Sequence, residues 1–164
     1  MKYTNKHNVP QEIINAIHND NYTKGEAIIS VTGLLQPPRI RLLAKEHSDN
    51  LVIDVSSEIW KLLGQSVHNI LERANEDNKD TITEQRMYSV VKDWTISGQT
   101  DSIDINDNIL KDYKVTSVWS IVSAQTEGKA EWEQQLNLYA YLYRKETGKN
   151  IDGLNIIAIA RDWN

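Results

Sequence analysis

The chain has no cysteine. That excludes disulfides, thiolate nucleophiles, cysteine-bound zinc and cysteine-bound iron–sulfur clusters within it. Phenylalanine is also absent, so aromatic packing falls on five Trp and seven Tyr. Only three prolines occur, and no Pro/Gly/Ser linker divides the chain. The longest aliphatic run, Ile156 to Ala160, is far short of the about 20 residues that span a bilayer. The start, Met1 to Ile13, lacks the apolar stretch of a secretory signal. These absences point to a soluble, cytoplasmic protein with no membrane partner. Basic residues are outnumbered: 18 Lys and Arg against 23 Asp and Glu give a net charge of −5. A passive nucleic-acid coat is usually basic, so that class is disfavoured.

The 164 residues are one domain's worth, at roughly 100–200 residues per domain. A hydrophobic fraction of 40% with 25% charged residues argues for a folded core over disorder. Residues 1–55 read as a helical and extended segment, and residues 56–164 as the core.

Ile13, Ile14 and Ile17 set a short helix over Pro10 to Asn19. Gly25 to Leu35 is ambiguous. Pro37-Pro38 marks a bend, and a helix follows from Arg39 to about His47. Ser56 or Ser57 offers an N-cap to a helix running to about Asn75. Its apolar stripe is Trp60, Leu63, Val67, Ile70, Leu71 and Ala74. Thr81 to Val91, Trp94 to Ile105 and Ile109 to Thr116 read as three successive strands. Asn106-Asp107-Asn108 is the turn between the last two. A helix covers about Glu131 to Glu146 and stops near Gly148. Asn155 to Ala160 is a final strand, and its continuous apolar run predicts cover on both faces. Asp162-Trp163-Asn164 ends the chain abruptly beside that strand, as a truncated chain would.

The chemistry concentrates in Gly98-Gln99-Thr100-Asp101 and, eleven residues later, Asp112-Tyr113-Lys114. Residues two apart on a strand share a face, so Asp112 and Lys114 point the same way. Cross-strand pairing can bring Asp101 beside Asp112. Carboxylates suit hard divalent cations such as Mg²⁺. A lysine beside them can orient a phosphate or help activate water. Taken alone, D-x-K is common on any solvated strand. Glu84 can add a third carboxylate. His68 shares a helix face with Gly64 and Leu71. Gln135 and Tyr139 stand one turn apart at the start of an amphipathic helix. Asp101, Asp104, Asp107 and Asp112 crowd one hairpin, where bound cations would relieve repulsion. Arg39, Arg41 and Lys45 form a basic cluster in an acid-free stretch, suited to phosphate contacts. Arg144, Lys145 and Lys149 are a second.

In this order, the motifs resemble the PD-(D/E)XK nuclease superfamily, in its RecB-like and phage exonuclease-like branch. The matching pieces are His68 on an early helix, Glu84, G-x-x-D ending at Asp101, D-Y-K over Asp112 to Lys114, and the Q-L-x-L-Y helix from Gln135 to Tyr139. The resemblance spans about Ser30 to Arg161. It implies an α/β (α+β) fold with a restriction-endonuclease-like αβββαβ core and a mixed central sheet flanked by helices. It implies one or two Mg²⁺ or Mn²⁺ ions on Asp101, Asp112, His68 and the Tyr113 carbonyl. Lys114 would then position or activate water, and Gln135 and Tyr139 would orient the lysine and the DNA backbone. The expected activity is metal-dependent hydrolysis of DNA, as in a phage exonuclease. The alternative is a binding domain of the same fold without catalysis. A homo-oligomer and a phage annealing protein are the partners the resemblance suggests besides DNA. Relatives that carry a four-cysteine iron–sulfur cluster differ from this chain, which resembles a cluster-free variant or lacks the region that bears the cluster.

Overall fold

A computed structural model describes residues 2–19 and 25–163; Met1, residues 20–24 and Asn164, the last residue of the abrupt end, lie outside them. The chain runs β1 (Lys2–Thr4), α1 (Gln11–His18), β2 (Ile29–Ser30), α2 (Val31–Leu35), α3 (Pro38–Glu46), β3 (Val52–Asp54) and α4 (Ile59–Ala74). It continues with β4 (Thr81–Thr83), β5 (Arg86–Val91), β6 (Trp94–Gln99), β7 (Ser102–Asp104), β8 (Ile109–Thr116), α5 (Val118–Glu127), α6 (Ala130–Thr147) and β9 (Gly153–Ala160). The result is a mixed α/β, α+β arrangement. One sheet has the order β4-β7-β8-β9, a second β2-β6-β5, and β1 pairs with β3. β8 and β9 are parallel over their full length, from Ile109↔Gly153 to Thr116↔Ala160. A parallel pair needs a long crossover, and α5 with α6 supplies it. Among the described residues no helix is long and apolar enough to cross a membrane.

The two larger sheets meet where two long strands bend together. β4 and β5 are halves of the strand expected over Thr81 to Val91, and β6 and β7 are halves of that expected over Trp94 to Ile105. Thr83 pairs with Ser102, and Arg86 with Gln99. Between them the Glu84 N–H donates to the Asp101 carbonyl at 3.2 Å, and the Thr100 N–H to the Gln85 carbonyl at 3.1 Å. Glu84 takes a φ of 48°, a left-handed conformation uncommon for residues other than glycine. Both single-strand expectations are therefore corrected. Pairing across the bend overrides the local preference for extension.

The core lies between α6 and the bent strands. Met87, Ile103 and Leu110 pack against Leu136, Tyr139, Leu142 and Tyr143, and Val31 from the segment before residue 56 joins them. Burying each large apolar side chain contributes roughly 1.5–3 kcal/mol. α6 forms because acids sit in its first turn and bases in its last, complementing the helix dipole. Gly148, at a φ of 75°, ends it by donating its N–H to Arg144. Gly98 is what lets α6 approach. A Cβ there would lie 2.7 Å from Tyr139 Cδ1 and 2.8 Å from Leu142 Cδ1. Gly98→Ala is therefore expected to cost about 1–3 kcal/mol by overpacking. Thermal melting should show a fall of about 3–10 °C at this chain length; an unchanged midpoint would mean that α6 yields freely.

Other expectations need correction. Neither Ser56 nor Ser57 caps α4: its N-cap position is Glu58, without a side-chain cap, and Asp54 Oδ1 caps the preceding turn by accepting from the Ser56 N–H at 3.1 Å. A 3₁₀ turn over Val55–Glu58 precedes the helix. The α4 stripe is largely uncovered: Trp60 is 51% exposed and Ile70 54%. Val67 and Leu71 of the stripe are half-buried, as are Gly64 and His68 beside them. β9 is not covered on both faces, since Ile157 remains 40% exposed. Helix α5, capped by Ser117 Oγ on the Ser120 N–H, and strands β1 and β3 were not anticipated.

Candidate functional site

The bend brings Glu84 and Asp101 together, and α4 lays His68 over them. His68 Nδ1 is 3.1 Å from Asp101 Oδ1 and 3.9 Å from Glu84 Oε1. His68 Nε2 is 3.1 Å from the Tyr113 carbonyl oxygen. Both ring nitrogens thus face acceptors, and only the imidazolium can donate from both. The His68 pKa is accordingly raised to about 10, first by its hydrogen bond to Asp101, then by that to Glu84, against the effect of burial. The second Asp101 oxygen accepts the Tyr113 N–H at 2.5 Å. Gln99 steadies Glu84, donating to its Oε2 at 2.7 Å, and itself accepts from Arg86.

Asp112 and Lys114 stand on the same face of β8, as their spacing predicts. Asp112 Oδ2 is 2.6 Å from Lys114 Nζ, an ion pair without the alignment of a hydrogen bond. α6 closes this cluster. Gln135 Nε2 donates to Asp112 Oδ1 at 3.2 Å and to the Tyr139 hydroxyl at 2.8 Å, while Gln135 Oε1 accepts from Lys114 Nζ at 3.2 Å. Asp112 is only 2% exposed. Burial pushes its carboxyl up to about 6, although the Lys114 charge opposes the rise.

Of the residues singled out in the sequence, the fold gathers His68, Glu84, Asp101, Asp112, Lys114, Gln135, Tyr139 and the Tyr113 backbone. They form two adjoining groups. In the first, one ligand atom each from His68, Glu84 and Asp101 lies within 4.8 Å of the others. An imidazole nitrogen with two carboxylates is a donor set that divalent cations use, and it does not by itself select one of them. The imidazolium holds positive charge where such a cation would hold it, so the donor set fits a divalent ion once that proton leaves. In the second group Asp112 is turned toward Lys114 and Gln135. Glu84, expected as a third carboxylate but not among the ligands, thus takes the place in this group that was expected of Asp112.

The four-acid hairpin separates. Asp104 faces its own turn, accepting from the Asn106 and Asp107 N–H groups at 3.1 and 3.3 Å and pairing with Lys111 at 3.4 Å. The Asp107 N–H foremost holds its pKa below the usual carboxylate range. The basic cluster lies on α3, away from these groups in sequence. Arg39 and Lys45 are exposed. Arg41 is half-buried and donates to the Gly33 carbonyl at 3.0 Å, tying α3 to α2. Charge reversal at Arg41 would therefore disturb folding. Arg39 and Lys45 are the clean probes. If α3 contacts DNA, Arg39→Gln should lower the slope of log affinity against log salt by about 1. An affinity unchanged across the salt series would take α3 off the nucleic-acid path. A cavity of about 410 Å³ between α1 and α4, lined by Tyr3, His18 and Lys61, lies on the other flank of α4 and holds none of the site residues.

No family model and no curated protein matches the chain. Its structure is similar to the crystal structure of SSO0001, with a TM-score of 0.64 at 22% sequence identity. The match covers 94% of this chain and 74% of that one. At this identity the likeness speaks for the fold alone.

Proposed function

We propose that this chain is a metal-dependent DNA nuclease that hydrolyses phosphodiester bonds, with one restriction-endonuclease-like domain of phage exonuclease type. The observation that carries the reading is the convergence of His68, Glu84 and Asp101 beside the Asp112–Lys114–Gln135 cluster. The element order supports it. α4, the bent pair β4–β5, the bent pair β6–β7 and β8 follow one another as α, β, β and β, and two helices, α5 and the core-packed α6, precede β9.

Phosphodiester hydrolysis needs an in-line water and charge neutralisation at the leaving oxygen. A divalent cation would be held by His68, Glu84 and Asp101, with Asp112 adjoining, and would supply Lewis acidity toward the phosphoryl oxygens and acidify a nearby water; the Tyr113 carbonyl, expected among the ligands, faces His68 Nε2 on the other side of the ring. The rest falls to the chain itself. Asp112 and Gln135 hold Lys114 Nζ at the edge of the carboxylate group, where it can donate to the attacking water or to a phosphoryl oxygen. Tyr139 fixes the Gln135 amide, and the tightly packed α6 fixes Tyr139. Gln99 keeps Glu84 turned toward His68.

The test is cleavage of end-labelled linear single- and double-stranded DNA beside a closed circle, with Mg²⁺, with Mn²⁺ and with chelator. Metal-dependent loss of the linear strands with the circle intact is expected. A nicked circle would make the enzyme an endonuclease. DNA retarded on a gel but uncut in either metal would overturn the enzyme reading in favour of a binding domain.

A further inference from the structure

We propose that the cavity enclosed by α5, α6 and β9 accepts the base of a nucleotide flanking the cleaved phosphate. The inference rests on the nuclease reading and names a subsite for its substrate. The cavity measures about 320 Å³, within the range of small-ligand pockets.

Its place follows from strand register. Ile156 and Ala158, which form its floor, pair with Asp112 and Lys114 on β8. Paired residues in neighbouring strands share a face, about 4.8 Å apart. The pocket therefore begins one strand away from the Asp112–Lys114 pair. Leu136, also in the floor, directly follows Gln135, which bonds both of those residues.

Its chemistry suits a nucleotide. The floor is apolar and Trp132 forms a wall. Lys129 Nζ sits at the rim, 4.3 Å from the Trp132 ring centre, and donates to Ser120 Oγ at 2.7 Å. Among the described residues Lys129 has no ion-pair partner, although Glu133 shares the rim. An indole wall with an unneutralised ammonium beside it is the combination that holds single-stranded nucleic acid, the ring stacking a base and the cation meeting its phosphate. At the same cavity the Gln125 amide and the Asn137 Oδ1 offer polar groups to a base edge, while Asn137 Nδ2 donates to the Glu133 carbonyl at 2.7 Å. In the free protein Lys129 lies against the indole that a base would cover, so binding exchanges the cation–ring contact for an ammonium–phosphate contact.

The experiment uses the full chain and single-stranded oligonucleotides carrying one abasic residue at successive positions. At one position beside the cleavage point, the abasic substitution should raise KM about 5- to 150-fold, with kcat changed less. Trp132→Ala should raise KM on the intact oligonucleotide by a similar factor and abolish the abasic penalty. Trp132→Phe should restore most of it. Lys129→Gln, which leaves the floor untouched, should weaken binding and flatten its salt dependence. An abasic penalty that persists undiminished in a folded Trp132→Ala variant would overturn the pocket while leaving the nuclease intact. If nothing is cut, anisotropy of labelled oligothymidylate in chelator decides separately. Weaker binding by Trp132→Ala and Lys129→Gln would keep the pocket without the enzyme. Equal binding would discard it.

Discussion

Lys114→Met is expected to cut DNA cleavage by about 10²–10⁴-fold, the span usual for losing a positioned proton-transfer group. Two side chains, Asp112 and Gln135, hold Lys114 Nζ. The change also leaves Asp112 buried without its counter-charge. Removing one partner of a buried pair commonly costs about 3–5 kcal/mol. Here the cost depends on pH, because the Asp112 carboxyl already stands near 6 and can protonate instead. The variant should therefore melt close to the parent at pH 5 and well below it at pH 8. Cleavage by folded protein should stay depressed at every pH, which separates chemistry from stability. Less than a tenfold loss in a folded variant would remove Lys114 from the reaction. Asp112→Asn combined with Lys114→Met removes both charges, and should recover stability without recovering activity.

What was legible in the sequence is what depends on short-range periodicity. Asp112 and Lys114 share a face because a strand alternates, and Gln135 meets Tyr139 because four residues make a helical turn. His68 shares a helix face with Gly64 and Leu71 on the same ground, but the apolar stripe did not mark that face as the one turned inward. The bend at Glu84 and Asp101 was not legible. No glycine or proline marks it, and a glutamate at a φ of 48° runs against local preference. It exists because the two strands exchange hydrogen bonds across it, a contact between residues 17 apart in the chain. His68, Glu84 and Asp101 converge at that break in regular pairing. A sequence reading that extends both strands through it finds the residues but not their meeting. Helix α5 did carry a signal, the Ser117-x-x-Ser120 cap ahead of Ile121 and Ala124. The α4 stripe shows a different limit. Periodicity identifies an apolar face, but what covers that face is decided by elements far along the chain, and Trp60 and Ile70 are left open. Arg41 shows the same for charge: a basic run was visible, its engagement with Gly33 was not.

In chelator, stability is expected to fall as pH rises from about 4 to 10, and a divalent cation should oppose that fall. Two groups set the sign. Asp112 is raised from 3.8 to about 6, so the folded state keeps a proton that the unfolded chain releases, and stability declines across that window. His68 is raised from 6.5 to about 10; its contribution is whole below 6.5 and is lost as pH climbs through 10. The Asp112 shift is equivalent to about 3 kcal/mol, and that of the partly exposed His68, discounted for solvent screening, to about 2 kcal/mol. Asp54 and Asp104 are shifted downward, so their contributions are present above 3.8 and are lost only in acid, outside this range. A cation on His68, Glu84 and Asp101 must displace the imidazolium proton, so its affinity rises with pH. The gap in melting temperature between Mn²⁺ and chelator should therefore widen from pH 6 to pH 9. At a cation concentration about 100 times Kd the gain is about 2.7 kcal/mol, or roughly 5–10 °C for a chain of this length. Asp101→Asn should abolish the gap and flatten the alkaline limb together, since Asp101 is both donor to the cation and the principal partner of the imidazolium. A gap that stays at zero at pH 9 would remove the cation from these residues; an alkaline limb unchanged in Asp101→Asn would place the titration elsewhere.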